Sequence, residues 1–286
     1  MAVERLAIGG EPVSAELLPS LGGRIHRLRA FGHDLLRTPG DLASYDAEPF
    51  TWGAYPMAPW CNRIEAMPTL VAGREVRLAS NIADGSAIHG EACARSWDVL
   101  DDGTLRASGG VGGWPWSYET TLRVTVSGAV VRIDQTLTNL DDAAMPGGLG
   151  LHPWFVRPVE VRVRAAACFA SNLDTSALPV AVAGPFDLRA MAPMADDLDG
   201  TWVDLAEPAV ELRWPILGIA ATLRAESTDG LCIVAASPGG LDAVAIEPQT
   251  HAPQGLRRIL RGEPYALHLL APGEVLRLSI ELSFRA

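Results

Sequence analysis

The sequence contains no lysine, so its 23 basic side chains are all arginines. A Schiff base to a carbonyl substrate and a nucleotide-binding P-loop both require a lysine amine, and both are therefore excluded. Arginine stays protonated near neutral pH, so it can bind hydroxyl or carboxylate oxygens but cannot act as a general base. Acid–base chemistry is consequently left to carboxylates and to the 6 histidines.

Cysteine is scarce as well, and its 4 residues are widely spaced: Cys61, Cys93, Cys168 and Cys232. They form no C-x-x-C pair of the kind that holds zinc, and their spacing outlines no compact disulfide framework. The sequence therefore predicts buried free thiols.

Positive charge is in deficit, because 23 basic against 34 acidic side chains give a formal net charge of −11. Binding to a nucleic-acid backbone draws on clustered basic side chains, so no nucleic-acid partner is expected. No stretch approaches the roughly 20 apolar residues that span a bilayer, so no membrane partner is expected either. Residues 1–14 lack the basic start and uninterrupted apolar segment of a secretory signal, and we expect a cytoplasmic protein.

The dominant periodicity is that of β-strands, in which alternate side chains lie on one face. In residues 276–284, apolar side chains alternate with arginine, serine and glutamate. Two further alternating runs, 122–127 and 131–134, flank Gly128 and predict an antiparallel hairpin. Further short strands are predicted at 160–165, 210–214 and 232–235.

Long helices are not expected, because no segment carries a sustained apolar repeat of three to four residues. The 28 glycines and 21 prolines form frequent turn clusters between the short strands. This pattern is typical of an antiparallel sandwich or barrel. No repeat, low-complexity tract or composition break marks a linker. We therefore expect an all-β protein, a large antiparallel β-sandwich in one domain over residues 1–286.

Four segments combine titratable or aromatic residues with turn formers: PMAPWCNRI (56–64), AIHG (87–90), GLGLHPWF (148–155) and AIEPQTHAPQG (245–255). In the last two, His152 and Glu247 each precede a proline, which favours an extended backbone. The two side chains are therefore expected at strand ends, where an acid and a base would keep a fixed separation.

Each candidate also has a structural interpretation. Glu247 follows an apolar strand, so its carboxylate is expected to be solvated, paired or functional. His152 could equally be a hydrogen-bonded structural histidine, and His89 a turn histidine that binds the backbone. Arg63, next to Asn62, could form a surface ion pair. A further histidine in the last segment is a possible member of a pocket rim: His251.

Several of the 8 tryptophans adjoin these polar candidates. Trp60 and Trp154 lie beside them, and Trp114 and Trp116 form an aromatic turn around Pro115. Most tryptophans are expected in the core, because aromatic rings bury a large area. Aromatic faces beside hydrogen-bonding side chains are also what a sugar ring needs.

In these four segments, taken in order, the chain resembles the aldose 1-epimerase (galactose mutarotase-like) family. PMAPWCNRI is similar to its Pro-x-x-Pro-x-x-Asn-Arg segment, AIHG to its His-Gly turn, GLGLHPWF to its histidine segment and AIEPQT to its Glu-Pro-x-Thr segment. The resemblance covers nearly the whole chain. It implies a galactose mutarotase-like β-supersandwich, in agreement with the period-two pattern.

The resemblance also implies roles for individual residues. Glu247 would be the general base that takes the proton of the anomeric hydroxyl, and His152 the general acid that protonates the ring oxygen. The substrate-binding residues would be His89, Arg63, Asn62, Trp154 and an aspartate for which Asp199 is the nearest match, although Asp196, Asp197 and Asp204 lie close in sequence.

The reaction expected from the resemblance is the exchange of the α and β anomers of an aldose. It needs no cofactor, metal or covalent nucleophile, because a carboxylate and an imidazole suffice to open and close a hemiacetal. The net charge of −11 favours a neutral aldose over a sugar phosphate as the small-molecule partner. A monomer or a homodimer is expected.

Three other functions compete with this one. A sugar-binding or sensor protein would keep the same pocket without turnover. A metal-dependent enzyme could use His89, His152 and Glu247 as ligands, although no H-x-H or H-x-x-E spacing supports it. Glycoside hydrolysis ranks last, because it needs two carboxyl groups and only Glu247 stands in a marked segment.

Overall fold

The computed structural model describes residues 3–110, 113–169 and 178–286. Within these ranges the strands are β1 (Leu6–Gly9), β2 (Val13–Leu18), β3 (Arg24–Ala30), β4 (His33–Asp34), β5 (Ala54–Met57), β6 (Arg63–Glu65), β7 (Thr69–Val71), β8 (Arg74–Val76), β9 (Ser86–Ile88), β10 (Asp98–Val99), β11 (Leu105–Gly109), β12 (Tyr118–Ser127), β13 (Val130–Asn139), β14 (Met145–Gly147), β15 (Gly150–Val156), β16 (Glu160–Phe169), β17 (Val180–Ala181), β18 (Leu198–Trp214), β19 (Ile219–Ser227), β20 (Cys232–Ser237), β21 (Ala243–Gln249), β22 (His268–Leu270) and β23 (Val275–Arg285). The α-helices are α1 (Ser44–Ala47) and α2 (Gly255–Arg261), and short 3-10 helices span Pro19–Leu21, Ala92–Ala94 and Gly184–Phe186.

The strands form one large antiparallel sheet of 17 strands and three small two-stranded ladders. One arm of the large sheet runs in the order β1, β2, β3, β5, β15, β21, β20, β18. The other arm runs β18, β19, β23, β13, β12, β11, β10. The predicted hairpin is β12–β13, and every strand predicted from periodicity lies inside an observed strand. The all-β prediction is therefore confirmed.

The long strand β18 belongs to both arms. Its first part, from Leu198 to Trp202, pairs with β20, and its last part, from Val210 to Trp214, pairs with β19. Between the two parts, residues 206–209 bulge opposite Arg164 of β16. A bulge of this kind bends a strand and increases its twist, so the chain passes here from one arm to the other.

The largest apolar cluster, the main core, includes residues of both arms. The first arm contributes Leu17, Ile25 and Leu28, and the second contributes Ile133 and Ile280. The two arms meet again at the far side, where Gly9 lies against Val126 of β12. In each alternating strand, the apolar side chains lie on one face, and this face packs in the core. The sandwich prediction requires this arrangement.

The central strands β5, β15 and β21 are buried on both faces. Val244 and Ile246 of β21 lie in the main core, whereas Ala243 and Ala245 lie in a second cluster on the opposite face, together with Trp154. His152 and Glu247 alternate onto this second face. They lie inside their strands rather than at the strand ends expected from the sequence, because pairing continues through the prolines that follow them.

All four cysteines are free and buried, as predicted. No helix in the described part of the chain is long and apolar enough to cross a membrane.

Candidate active site

The register of the central strands places a row of functional side chains across the sheet. Tyr55 of β5 lies opposite His152 of β15. On the other side of β15, Gly150 pairs with Gln249 and Trp154 with Ala245, which sets His152 directly opposite Glu247. Opposed side chains on neighbouring strands lie within about 5.5 Å of each other at Cβ, so the backbone itself brings the imidazole to the carboxyl group.

The carboxyl–imidazole pair is in direct contact. Nε2 of His152 lies 3.2 Å from Oε1 of Glu247. The other carboxyl oxygen, Oε2, accepts a hydrogen bond of 2.7 Å from the side-chain amide of Gln249. His152 is 4% exposed and Glu247 is 2% exposed, so the pair sits at the buried floor of the site.

Burial moves the two pKa values of the pair toward the uncharged forms. The pKa of Glu247 is raised well above its ordinary value by burial and by the negative charge of Asp199, against the opposing effects of Gln249 and Arg63. The pKa of His152 is lowered to about 3, mainly by burial. Both shifts favour a pair that holds one proton, as a bidirectional proton donor and acceptor requires.

His89 and Asn62 approach the pair from the short ladder β6–β9, which pairs Arg63 with Ile88. Both have left-handed backbones, with φ of 64° at His89 and 51° at Asn62. Such conformations are uncommon without glycine and tend to mark functional positions. The backbone N–H of His89 donates to the carbonyl of Asn62, and the His89 ring meets the His152 ring edge-on at 4.9 Å.

The glycine after His89 is required by a close backbone contact. A Cβ atom at Gly90 would lie 2.1 Å from the carbonyl oxygen of Ala58. This approach fixes the His-Gly turn against the chain that leads to Asn62. Burial then lowers the pKa of His89 well below its ordinary value, and the nearby His152 and Arg63 lower it further. His89 is therefore a neutral hydrogen-bonding group.

Arg63 is held between two aspartates at the cavity wall. Its Nε donates to Oδ2 of Asp84 at 2.8 Å, and its Nη1 lies 3.8 Å from Oδ2 of Asp199. Hydrogen bonds from Arg63 and Ser86 lower the pKa of Asp84, although burial opposes them. Asp84 therefore orients the guanidinium. Because the guanidinium is planar, this contact also fixes the directions of its remaining N–H groups.

The structure separates the four aspartates that are crowded in sequence. Asp199 and Asp197 line the cavity. Asp196 forms an ion pair with Arg157, and Asp204 accepts a hydrogen bond from Tyr265. Asp199, the residue chosen from the sequence, is the one that faces Arg63.

These residues surround one cavity of about 750 Å³. Phe50, Trp154 and Leu241 supply apolar walls. Arg63 is the only lysine or arginine among the residues that line the cavity in the described part of the chain, whereas the acidic lining residues are Asp84, Asp197, Asp199 and Glu247. A pocket with apolar walls and a few converging polar groups suits a small polar ligand.

All seven residues predicted for the site line this cavity: Asn62, Arg63, His89, His152, Trp154, Asp199 and Glu247. The other histidine and tryptophan candidates are buried and do not line this cavity. His251 is not a rim residue, because it is buried and its Nε2 accepts a hydrogen bond from the backbone N–H of Cys61. Trp60, Trp114 and Trp116 pack in the core rather than in the cavity.

Three residues of the site escaped the sequence analysis: Tyr55, Asp84 and Gln249. Gln249 could have been found, because it lies two positions after Glu247 and so shares its face of the strand. Tyr55 stacks on His152 at a centroid distance of 4.6 Å, which follows from strand pairing and leaves no local sequence signal. Asp84 lies in a polar turn like many others.

The same cluster meets a geometric requirement for a divalent cation. One ligand atom from each of His89, His152 and Glu247 lies within 4.8 Å of the others. Two neutral imidazoles and a carboxylate are a known ligand set for zinc or iron. The sequence analysis named these three residues as possible ligands for the metal-dependent alternative. They come from three separate segments, so no local spacing accompanies the grouping.

Comparisons with known proteins identify the family to which the chain is similar. The family model for aldose 1-epimerase matches residues 12–283. None of the curated proteins compared with the chain matches it.

Several solved structures share the fold. A putative aldose 1-epimerase from Escherichia coli K12 aligns with a TM-score of 0.83 at 18% identity, covering 99% of both chains. A galactose mutarotase-like protein from Clostridium acetobutylicum aligns with a TM-score of 0.83 at 17% identity, covering 99% of this chain and 95% of its own. Galactose 1-epimerase from Lactobacillus acidophilus NCFM aligns with a TM-score of 0.75 at 16% identity, covering 98% of this chain and 94% of its own.

Proposed function

Because the chain belongs to the aldose 1-epimerase family, we propose that it is a mutarotase, which exchanges the α and β anomers of a free aldose by opening and reclosing the sugar ring. The observation that carries the proposal is the pairing of His152 with Glu247 at the floor of the cavity, with 3.2 Å between Nε2 and Oε1. An acid and a base side by side can serve the two oxygens of one hemiacetal, which are bonded to the same carbon.

Ring opening uses the single proton that the pair shares. The carboxylate of Glu247 takes the proton of the anomeric hydroxyl, and protonated Nε2 of His152 gives its proton to the ring oxygen. The bond between the anomeric carbon and the ring oxygen breaks, and the electron pair of the former O–H bond forms the aldehyde. Glu247 is then protonated and His152 is neutral, the form that burial favours.

Ring closure reverses these transfers after the aldehyde has rotated. His152 takes the proton of the hydroxyl that attacks, and Glu247 returns a proton to the carbonyl oxygen on the other face of the anomeric carbon. No proton is exchanged with water over the cycle, so a buried pair can turn over repeatedly. Each positioned group is expected to contribute about 10²- to 10⁴-fold to the rate.

The other lining residues bind the sugar in this proposal. His89 and Asn62 supply hydrogen-bonding groups beside the acid and base, and Arg63 binds a hydroxyl oxygen while Asp84 holds its guanidinium. Asp199 accepts a hydroxyl hydrogen, and Trp154 offers an apolar wall to the C–H face of the ring.

A neutral aldose is the proposed substrate class. The phosphate of a sugar phosphate would meet the charges of Asp84, Asp197 and Asp199, with Arg63 as the single opposing arginine among the described lining residues. Arg63 is already engaged with two of these carboxylates. Like charges at short range in a partly dry pocket repel strongly, so binding of an anionic sugar is disfavoured.

Polarimetry on freshly dissolved α-anomers tests the proposal. We expect catalytic acceleration for at least one aldose in a panel of neutral sugars, and little acceleration for the matching 6-phosphates. Sugar binding without acceleration would instead identify a sensor protein. Elemental analysis of the same preparation addresses the metal-dependent alternative, which would be favoured by a stoichiometric metal whose removal by a chelator abolishes activity.

A further inference from the structure

The row of side chains across the central strands has a fourth member, Arg24. Ile25 of β3 pairs with Ala54 of β5, so the antiparallel register sets Arg24 opposite Tyr55. The guanidinium lies over the Tyr55 ring at 4.9 Å, and the Tyr55 ring stacks on the imidazole of His152 at 4.6 Å. Arg24, Tyr55, His152 and Glu247 therefore stand side by side on four successive strands.

Arg24 is buried without a charged partner. It is 3% exposed, and no carboxylate forms an ion pair with it among the described residues. Its Nε also finds no hydrogen-bond partner there. Burial of a charged arginine without a carboxylate partner is costly, and an apolar side chain of similar volume often stabilises a fold better. The position therefore calls for an explanation other than stability.

The contacts of Arg24 supply that explanation. Its Nη1 donates to the carbonyl of Trp52 at 2.7 Å and its Nη2 to the carbonyl of Pro49 at 2.8 Å, so the guanidinium fixes both ends of segment 49–52. Inside this segment, the carbonyl of Phe50 accepts two hydrogen bonds, one from Tyr55 OH at 3.2 Å and one from Nε1 of Trp154 at 2.6 Å.

Both rings held by Phe50 pack on the imidazole of His152. Tyr55 is stacked on it, and Trp154 lies at a centroid distance of 5.0 Å. A catalytic histidine is usually oriented by a hydrogen bond to its second ring nitrogen. In His152 that nitrogen, Nδ1, is buried and has no hydrogen-bond partner among the described residues. Packing on Tyr55 and Trp154 therefore orients the imidazole, together with the contact between Nε2 and Glu247.

We propose that Arg24 is a positioning residue for His152: by fixing segment 49–52 and stacking on Tyr55, it holds the two aromatic rings that aim Nε2 at Glu247. The proposal rests on the acid role of His152 in the proposed function. Arg24 does not line the cavity, so it acts through these rings and touches no substrate.

The substitution Arg24→Met tests the proposal, because methionine fills much of the same volume but cannot bind the two carbonyls. We expect kcat for anomer exchange to fall about 10- to 100-fold with little change in KM, as misplacement of a catalytic group by about 1 Å would cause. The matched control is Arg258→Met. Arg258 is also buried over an aromatic ring and bound to a backbone carbonyl, but it pairs with Glu263 and does not line the cavity, so its replacement should leave kcat unchanged.

A second measurement does not depend on turnover. The ring NMR signals of His152, assigned with His152→Gln, report the position of the imidazole relative to the two aromatic rings packed on it. Arg24→Met should shift these signals and weaken the nuclear Overhauser effects between the imidazole and the rings of Tyr55 and Trp154, because the contacts that hold those rings are removed. Arg258→Met should do neither.

If Arg24→Met does not fold, Arg24→Lys replaces it in the test. Its single ammonium group cannot reproduce the planar guanidinium that binds both carbonyls. We expect the same fall in kcat and a displaced His152 signal. Wild-type kcat and wild-type His152 signals in whichever variant folds would overturn the proposal. If the wild-type protein does not accelerate anomer exchange at all, the proposed function fails, while the NMR comparison still decides whether Arg24 orients His152.

Discussion

The side-chain amide of Gln249 donates a hydrogen bond of 2.7 Å to Glu247, two residues earlier on the same buried strand. This donor stabilises the ionised carboxylate against the burial that raises its pKa. Gln249 thereby sets how readily Glu247 can act as a base.

Replacement of Gln249 by leucine should raise the pKa of Glu247 further. A hydrogen bond to a carboxylate stabilises its charged form, so loss of this donor disfavours ionised Glu247. The alkaline limb of the pH profile of kcat/KM should move to higher pH. The plateau value of kcat/KM should fall, because a smaller fraction of the protein has an ionised Glu247. An alkaline limb that stays in place would contradict the assigned role of Gln249.

Asp199→Asn should move the same limb in the opposite direction. The charge of Asp199 contributes to the raised pKa of Glu247, so its removal lowers that pKa and shifts the alkaline limb to lower pH. Asp196→Asn is the matched control, because Asp196 pairs with Arg157 and does not line the cavity. Equal shifts in both variants would show that only the general field of the acidic surface matters.

Glu247→Gln and His152→Ala should each reduce kcat/KM about 10²- to 10⁴-fold, because each removes one proton-transfer group. The double variant should be little worse than either single one, since the two groups act as a unit. His33→Ala, at an exposed position on β4, is the control that should retain full activity. Circular dichroism and thermal unfolding check that the variants are folded. Near-normal rates in both single variants would refute the assignment.

His268 gives a pH dependence of stability away from the site. Its Nδ1 lies 2.5 Å from Asp229 and its Nε2 lies 3.1 Å from Glu274. Partial burial lowers its pKa, but the two hydrogen-bonded carboxylates outweigh burial, so the net pKa is raised. The stabilisation is therefore fully present below the pKa of an unfolded histidine and is lost as pH rises through the folded pKa.

His268→Gln should remove this contribution. Urea unfolding should show a variant less stable than the wild type at pH 5, by less than about 1 kcal/mol because the pair is partly exposed, and the difference should disappear at pH 9. A difference that is constant with pH would mean that packing of the ring, rather than its charge, is what the substitution removes.

Much of the architecture was predictable from the sequence because strand burial is a local, period-two property. The alternation at 276–284 lies within β23, and the alternating runs about Gly128 lie within β12 and β13. Apart from Asp199, the predicted site residues all lie in the four polar segments, since turn formers next to apolar strands mark where a chain can expose functional groups.

The arrangement of the site was less predictable because strand pairing joins residues far apart in the chain. Nothing local to His152 indicates that Tyr55 and Glu247 are its neighbours across the sheet. For the same reason, Trp60 read as a possible pocket wall although it packs in the core. The stacking of Tyr55 on His152 depends on this long-range pairing. So do the hydrogen bonds to the backbone carbonyls of segment 49–52.

The passage of β18 through both arms has a consequence for how the protein unfolds. A strand of 17 residues that pairs with β20 at one end and β19 at the other cannot be released from one arm without exposing the edge of the next. The two arms should therefore lose their structure in one cooperative transition, with amide protons of β20 and β19 exchanging at similar rates. A destabilising change in the arm remote from the cavity would then lower the population of protein with an intact cavity through the same global equilibrium.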